Sequence, residues 1–176
     1  MSSQMKRQTA PVPTGPRIEI LDTADKPLMV MPVGPALKQD LRHKTVMVCL
    51  RNTRGHLFMR KCPAGGDIAY SGLWNVAASG IVLAEEACRD TAARLLREET
   101  GISGLECTQI DRLPPSPLTG NTVTAVFMTG KTSAIPRLES SDIQEAMYVD
   151  REELLAFLRD YPHMATPFLR LAAQYM

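Results

Sequence analysis

The sequence has almost no net charge and no long apolar run, and each shortage excludes a class of function. Its 20 lysines and arginines against 19 aspartates and glutamates leave a formal charge of +1. A chain without a basic excess has no field that favours nucleic acid, so we expect no nucleic-acid partner. The longest mostly apolar segment, residues 27–37, is interrupted by prolines and is too short to cross a bilayer, so we expect no membrane partner.

The N-terminal segment, residues 1–16, also lacks the apolar core of a secretory signal peptide, so we expect a cytoplasmic protein. This segment is polar and proline-rich, which is typical of a flexible tail. Residues 17–176 are enough for a single domain with its own core, in a chain that is 44% hydrophobic and 22% charged.

Cysteine is scarce, and its spacing matches no metal site. The four residues are Cys49, Cys62, Cys88 and Cys107. Zinc sites use closely paired cysteines and histidines, which are missing here. We therefore expect reduced thiols that pack in the interior, rather than disulfides or a nucleophile. The three histidines follow no ligand pattern either, and we interpret them as surface or structural residues.

The patterning that is present predicts short strands around one long helix. Strands are predicted at residues 17–21, 28–33, 44–51, 56–61, 74–82, 105–113, 121–131 and 145–149. Helices are predicted at residues 34–41, 86–100, 150–157 and 165–175. Strands that surround a mid-chain helix, followed by C-terminal helices, indicate an α+β fold with a mixed sheet between helical layers.

The long helix has an unusual charge distribution. Its start is acidic, as the helix dipole favours, and Gly101 follows its end, where glycine commonly terminates a helix. Glu98 and Glu99, however, place two carboxylates at the end where the dipole disfavours negative charge. A cation must compensate them. It is either a nearby side chain, Arg94 or Arg97, or a divalent metal ion.

Residues 80–102, GIVLAEEACRDTAARLLREETGI, resemble the Nudix box, which is written G-x5-E-x7-R-E-U-x-E-E-x-G-U with U apolar. Eight of the nine specified positions match the pattern: Gly80, Glu86, Arg94, Leu96, Glu98, Glu99, Gly101 and Ile102. The remaining position, a glutamate in the pattern, is Leu95 here. The resemblance implies the Nudix fold, in which α-helices sandwich a mixed β-sheet.

The resemblance also implies an activity. Nudix enzymes hydrolyse a nucleoside diphosphate linked to another group with the help of Mg²⁺ or Mn²⁺, so the expected partner is a small-molecule diphosphate substrate. Glu98 and Glu99 would be metal ligands and catalytic residues, with the carbonyl of Gly80 as a further ligand. Glu86 and Arg94 match positions that support the loop and helix. The alternative is that Glu98 and Glu99 form a solvated helix end paired with Arg94 and Arg97.

Leu95 stands where the family supplies a third carboxylate, often a ligand or a base. Leucine can do neither, so we expect weaker metal binding. The absence of one of several close carboxylates also reduces the electrostatic repulsion among them, which should stabilise the fold of the metal-free protein. The alternative function is therefore a catalytically weak or inactive Nudix domain that binds a nucleotide or a partner.

The likeness extends over roughly residues 19–158 to a bacterial Nudix subgroup related to isopentenyl-diphosphate isomerase. It includes LRHKTVMVCLRNTRGHLFMRKC and SGLWNVAASGIV. Those isomerases also lack the third glutamate, but they resemble Cys-Gly-His at the glycine turn. This chain has Ser79, Gly80 and Ile81 there, so isomerase activity is disfavoured.

Several charged and aromatic residues outside residues 80–102 have two interpretations, as parts of the site or as ordinary structural residues. Asp142 and Glu145 resemble the family's late acidic loop and are possible bases, or ordinary loop charges. Arg60 and Lys61 are possible substrate-binding residues for phosphate, although a solvent-facing strand end is favoured. Two aromatic residues could stack on a base, Tyr70 and Trp74, of which Trp74 is more often core.

The apolar run at residues 28–33 lies outside the main predicted sheet. We therefore also consider that the N-terminal strand pair mediates a homodimer.

Overall fold

The computed structural model describes residues 15–63, 69–138 and 145–176. The strands within these ranges are β1 (Arg17–Leu21), β2 (Pro27–Pro32), β3 (His43–Asn52), β4 (Leu57–Lys61), β5 (Trp74–Val76), β6 (Ala78–Ile81), β7 (Cys107–Leu113), β8 (Thr122–Thr132) and β9 (Ala146–Val149). The helices are α1 (Val33–Lys38), α2 (Cys88–Thr100), α3 (Arg151–Asp160) and α4 (Pro167–Ala172). None of the helices in these ranges has the length and apolarity that a membrane crossing requires.

Strands β3 to β9 form one mixed sheet within the described residues. Its main order is β5-β4-β3-β8-β7, with β6 also paired to β3 and β9 also paired to β4. The central pair, β3 and β8, is parallel, and the other pairs are antiparallel. The predicted α+β fold, a mixed sheet between helices, is confirmed.

Both faces of the sheet are covered, which explains the continuous apolar run in the middle of β3. Side chains alternate between the faces of a strand. In β3, Val46 and Val48 pack with Leu96 of α2, whereas Met47 packs on the opposite face with Leu154 of α3 and neighbouring helix residues. A strand buried on both faces reads as a continuous hydrophobic run rather than an alternating one.

The segment that leads into the long helix differs from the sequence prediction. Residues 74–82 were predicted as one strand, but they form two short strands with different neighbours. β5 pairs with β4 through the register Met59↔Val76, whereas β6 pairs with β3 through Val46↔Gly80. The break at Ala77 lets the chain move from one neighbouring strand to the next. This step places Gly80 beside α2.

The C-terminal elements are confirmed with shifted ends. Asp150 caps α3 through a capping box, in which its side chain accepts a hydrogen bond from the Glu153 amide. The helix predicted at residues 165–175 is shorter, because Thr166 caps α4 and a 3-10 turn follows at Ala173–Tyr175.

The N-terminal hairpin of β1 and β2 forms its own two-stranded sheet, which packs against the main sheet. Ile18 and Ile20 are buried against residues such as Ile81, while Leu28 and Met29 on β2 are exposed. The predicted homodimer through this strand pair stays a prediction.

The cysteines are free thiols, as predicted. Cys49, Cys62 and Cys107 are buried and Cys88 is half-buried. Burial raises the pKa of each thiol, and it brings that of Cys49 to about 12. A thiol that stays protonated at neutral pH is a poor nucleophile, which agrees with a packing role.

The long helix begins at Cys88, two residues later than predicted, and it ends at Gly101, whose φ of 70° is the left-handed conformation that glycine tolerates. Glu86 therefore lies in the preceding loop. Its carboxylate accepts hydrogen bonds from Arg94 at 2.8 and 2.9 Å and from the Thr91 hydroxyl at 2.7 Å. This cluster ties the loop to the middle of α2.

The Glu86 cluster also makes stability depend on pH. The hydrogen bonds from Arg94 are the main reason why the pKa of Glu86 falls from 4.5 to about 2. A depressed pKa means that the folded state favours the ionised form. The contribution of the cluster is therefore complete above about pH 5 and is lost as the pH falls towards 2.

We predict that Glu86→Gln lowers the free energy of unfolding by about 2 kcal/mol at pH 7, because Arg94 loses the nearer of its two acidic partners and keeps only Glu98. The difference from wild type should shrink in urea unfolding curves measured from pH 6 down to pH 3. Glu85→Gln is the matched control, because Glu85 is exposed and makes no ion pair among the described residues. A difference from wild type that is independent of pH would contradict the linkage.

Candidate functional site

The two acidic residues at the end of α2 lie beside β4 and β6. Glu98 is exposed, with 49% of its side chain accessible, and Glu99 is half-buried, with 35% accessible. Each carboxylate already has a cationic partner, but the two partners differ.

The contact between α2 and β6 is close at the glycine of the box. A Cβ atom added to Gly80 would lie 3.0 Å from Cδ1 of Leu95, closer than real Cβ contacts usually allow. Leu95 is only 8% exposed and belongs to the core cluster under α2. Gly80 therefore packs closely against the apolar side chain of Leu95. Position 95 is the one at which the sequence pattern has a third carboxylate.

Glu98 shares Arg94 with Glu86. One terminal nitrogen of Arg94 lies 3.2 Å from the Glu98 carboxylate, while the Nε atom and the other terminal nitrogen bind Glu86. The pairing of Glu98 with Arg94, weighed as an alternative from the sequence, is present. Arg97 is exposed and makes no ion pair within the described parts of the chain.

Glu99 pairs with Arg60 of β4, a partner that no sequence pattern predicted. A terminal nitrogen of Arg60 donates to the Glu99 carboxylate, and its Nε donates to the Ala77 carbonyl at 3.1 Å. The Arg60 side chain is only 6% exposed. The expectation that Arg60 lies at a solvent-facing strand end is therefore wrong, because the residue points inwards, to the helix side of the sheet.

A small pocket opens beside this ion pair. Its volume is about 220 Å³, and it is lined by Arg60, Cys62, Pro63, Tyr70, Asn75, Ser79 and Glu99. Most of these side chains are polar, so the pocket combines a guanidinium group, a carboxylate, hydroxyl groups and an amide. Such convergence of polar groups in a concave site is typical of ligand binding.

A hydrogen-bonded chain connects the pocket to the C-terminal helix. The buried Asn75 donates to the Ser79 hydroxyl at 2.9 Å and accepts from the Thr166 hydroxyl at 2.8 Å. Thr166 caps α4 at the same time. Sequence analysis missed Asn75 and Ser79 as pocket residues, because only the pairing of β5, β6 and α4 brings them together.

The two aromatic residues considered for stacking on a base, Tyr70 and Trp74, lie in different environments. Trp74 is buried in the core, where its ring packs edge-on against Phe157. Tyr70 lines the pocket, and its ring forms a T-shaped pair with the ring of Phe168. Stacking on a ligand is thus open to Tyr70 but not to Trp74.

The remaining predicted residues lie apart from the pocket lining or outside the described residues. Lys61 follows Arg60 in β4 and so lies on the opposite face of the sheet. Its ammonium group lies 3.5 Å from the carboxylate of Glu145, just before β9. Neither residue lines the pocket with Glu99. Asp142 lies outside the described residues.

The metal ligands predicted from the sequence are oxygen atoms, the donor type that a hard divalent cation such as Mg²⁺ prefers. Within the described residues, no three acidic, histidine or cysteine side chains cluster in a way that could hold a metal ion. Mg²⁺ usually binds through one or two carboxylates and completes its shell with waters and substrate phosphates. The sequence-predicted ligands, Glu98, Glu99 and the Gly80 carbonyl, are oxygen donors of this kind, and none of the three residues is fully buried.

Solved structures of other proteins share this fold. A crystal structure of a Deinococcus radiodurans protein covers 85% of this chain and 91% of its own, with a TM-score of 0.70 and 22% identity. The crystal structure of a MutT protein from Methanosarcina mazei covers 76% of this chain and 91% of its own, with a TM-score of 0.61 and 21% identity. At these identities, the likeness establishes the fold alone.

Curated proteins show similarity along most of the sequence. An uncharacterised Nudix hydrolase of Pseudomonas aeruginosa is 29% identical over 146 residues, which cover 81% of this chain and 83% of the relative. An isopentenyl-diphosphate Δ-isomerase of Cereibacter sphaeroides is 31% identical over 151 residues, covering 81% and 84%. The family model of the NUDIX domain matches residues 41–171. The chain, with its glycine turn, its helix and its paired acids, therefore belongs to the NUDIX domain family.

Proposed function

We propose that this member of the Nudix hydrolase family hydrolyses the diphosphate of a nucleoside diphosphate linked to another group, in a reaction that depends on Mg²⁺ or Mn²⁺. The observation that supports it most directly is the pairing of Glu99 with the buried Arg60 in the lining of one pocket, with Glu98 as the next residue on the same helix end. An anionic substrate needs cationic groups, and a metal site needs oxygen donors.

We assign a role in this reaction to each candidate site residue on α2, β4 and the pocket wall. Glu98, Glu99 and the carbonyl of Gly80 would hold the cation, which when bound neutralises phosphate charge and acidifies water. Arg60 would bind a phosphate oxygen, because it lines the pocket beside Glu99 and its guanidinium group matches phosphate geometry. Tyr70, at the pocket wall, would contact the group beyond the diphosphate.

The base that activates water is proposed among the acids of the late loop. Glu145 is paired with Lys61, and Asp142 lies outside the described residues; of the two, we take Asp142 as the assignment to test first. Loss of turnover in Asp142→Asn with unchanged metal affinity would support this assignment, and turnover equal to wild type would refute it.

A second function is favoured by one observation. Leu95 is buried where the sequence pattern places a third carboxylate, and both remaining acids are already paired with arginines. A domain of this kind could bind a diphosphate compound without hydrolysing it. Thermal-shift titration distinguishes the two, because a binder gains stability from a ligand that it does not consume.

Isomerisation of isopentenyl diphosphate, the reaction named for the Cereibacter sphaeroides relative, is not our proposal. The resemblance implies a cysteine and a histidine on either side of the turn glycine in such isomerases. Ser79 and Ile81 occupy those positions here, and neither replaces a thiol or an imidazole in proton transfer.

We predict that Glu98→Gln and Glu99→Gln each reduce Mg²⁺-dependent turnover by about 100-fold or more, because loss of a ligand exceeds the usual effect of losing a supporting residue. Phosphate release from a panel of nucleoside diphosphate compounds, measured with and without Mg²⁺, checks this result. Glu152→Gln is the control, since Glu152 is exposed on α3. Turnover that is independent of metal, or unchanged in both variants, would sink the proposal.

We predict that Leu95→Glu lowers the free energy of unfolding by about 2 kcal/mol without metal, because it buries an unpaired carboxylate against Gly80. Mn²⁺ should restore part of that stability and should raise hydrolysis, since the carboxylate adds a metal ligand. Leu95→Gln is the matched control with the same shape and no charge. Equal responses of the two variants to Mn²⁺ in thermal unfolding would show that position 95 does not face the metal.

A further inference from the structure

Arg60 is far more deeply buried than the acid with which it pairs. Its side chain is 6% exposed, against 35% for Glu99. Within the described part of the chain, Glu99 is the sole acid that pairs with it, and its other acceptor is the neutral Ala77 carbonyl. A buried guanidinium group cannot recover its hydration when its partner leaves. Loss of Glu99 alone would therefore leave an uncompensated charge inside the protein.

Glu98 is held in a different way. Its partner Arg94 has a second acid, Glu86, with two hydrogen bonds of 2.8 and 2.9 Å. The Arg94 side chain is also 25% exposed. When Glu98 leaves Arg94, the guanidinium group keeps an ionic partner and contact with water. Release of Glu98 is therefore easy, whereas release of Glu99 requires a replacement anion for Arg60.

The pocket provides the place for that replacement. Arg60 and Glu99 both line it, together with the hydroxyl of Ser79 and the amide of Asn75. The hydrogen bond from Nε to the Ala77 carbonyl holds the stem of Arg60 and leaves its terminal nitrogens to change partner. The guanidinium group matches phosphate as well as it matches carboxylate.

We propose that Arg60 is an exchange residue: it neutralises Glu99 in the metal-free protein and passes to a phosphate of the ligand when a divalent cation takes Glu99. This inference rests on the proposed function of the site. Two cations, Arg60 and the metal, compete for one carboxylate. Two anions, Glu99 and phosphate, compete for one guanidinium group. Once Arg60 and Glu99 separate, both keep a partner of opposite charge only if the metal and the diphosphate are both bound. Binding of the metal therefore raises the affinity for the diphosphate, and binding of the diphosphate raises the affinity for the metal.

The first test measures the anion without any metal. Inorganic pyrophosphate is titrated into wild type, Glu99→Gln and Glu98→Gln by calorimetry in the presence of EDTA. Glu99→Gln frees Arg60 and should bind pyrophosphate about tenfold more tightly than wild type, because the phosphate no longer displaces a carboxylate. Glu98→Gln removes the same charge from the neighbouring residue and should remain within about threefold of wild type. Equal affinities of the two variants would overturn the exchange.

The second test measures the metal without any anion. Mn²⁺ binding is followed by electron paramagnetic resonance in wild type, Arg60→Gln and Arg97→Gln. Removing Arg60 should tighten Mn²⁺ binding about tenfold, since Glu99 loses its competitor. Arg97→Gln also removes one positive charge near the end of α2, but Arg97 pairs with neither acid. A gain in Arg60→Gln no larger than in Arg97→Gln would overturn the exchange.

Folding of the variants is checked by their thermal unfolding transitions. If Arg60→Gln shows no cooperative transition, Arg60→Lys replaces it, because lysine keeps the charge but loses the planar fork. Its gain in Mn²⁺ affinity should be smaller but still larger than that of Arg97→Gln.

The two proposals fail in distinguishable ways. Neither binding test involves turnover. A protein that binds as described but hydrolyses no diphosphate compound would refute the proposed function and leave the exchange standing. If the wild type is an active hydrolase but Glu99→Gln and Glu98→Gln bind pyrophosphate with equal affinity, the exchange alone is refuted.

Discussion

A buried guanidinium group must keep an anionic partner, and in this protein that constraint joins the elements that form the pocket. Arg60 lies on β4, donates a hydrogen bond to the Ala77 carbonyl between β5 and β6, and donates another to Glu99 at the end of α2. Because the side chain is almost fully enclosed, all three elements must be in position at once. The position of the Glu99 carboxylate thus depends on a strand residue that lies 39 residues earlier in the chain.

The same pocket is supported from its other side by uncharged hydrogen bonds. Thr166 both caps α4 and donates to Asn75, which in turn donates to Ser79 next to the glycine turn. Buried amide and hydroxyl groups hold a single arrangement because each lost partner would leave an unsatisfied polar atom. The C-terminal helix, although distant in sequence, therefore helps to fix the backbone at Gly80.

Leu95 shows how the family scaffold accommodates the loss of a charged residue. Its side chain fills the space against Gly80 and joins the core under α2. An apolar residue in this contact removes one of several neighbouring negative charges and adds buried apolar surface. The remaining acids are then few enough to be balanced by arginines, with Arg94 serving Glu86 and Glu98 and Arg60 serving Glu99.

The sequence by itself determined the fold class and the position of the two acids. The glycine, glutamate and arginine spacing of residues 80–102 is local, so the C-terminal end of α2 and the nearness of Glu86 to Arg94 follow from one helix and its flanking loop, although the helix begins two residues later than predicted. Apolar strands and caps such as Asp150 follow from equally local rules. The single strand predicted at residues 74–82 failed because its break depends on which neighbours pair with each half.

Only the tertiary structure decided which charges meet. Arg60 looked like a strand end exposed to solvent, and nothing within a few residues of it indicates Glu99 as its partner. Asn75 and Thr166, 91 positions apart, meet through the packing of α4 on β5. Burial and ion pairing are properties of surfaces brought together by folding, whereas helix and strand periodicity belong to neighbouring residues. For that reason the sequence specified the acids of the site, and the fold specified the arginine that holds one of them.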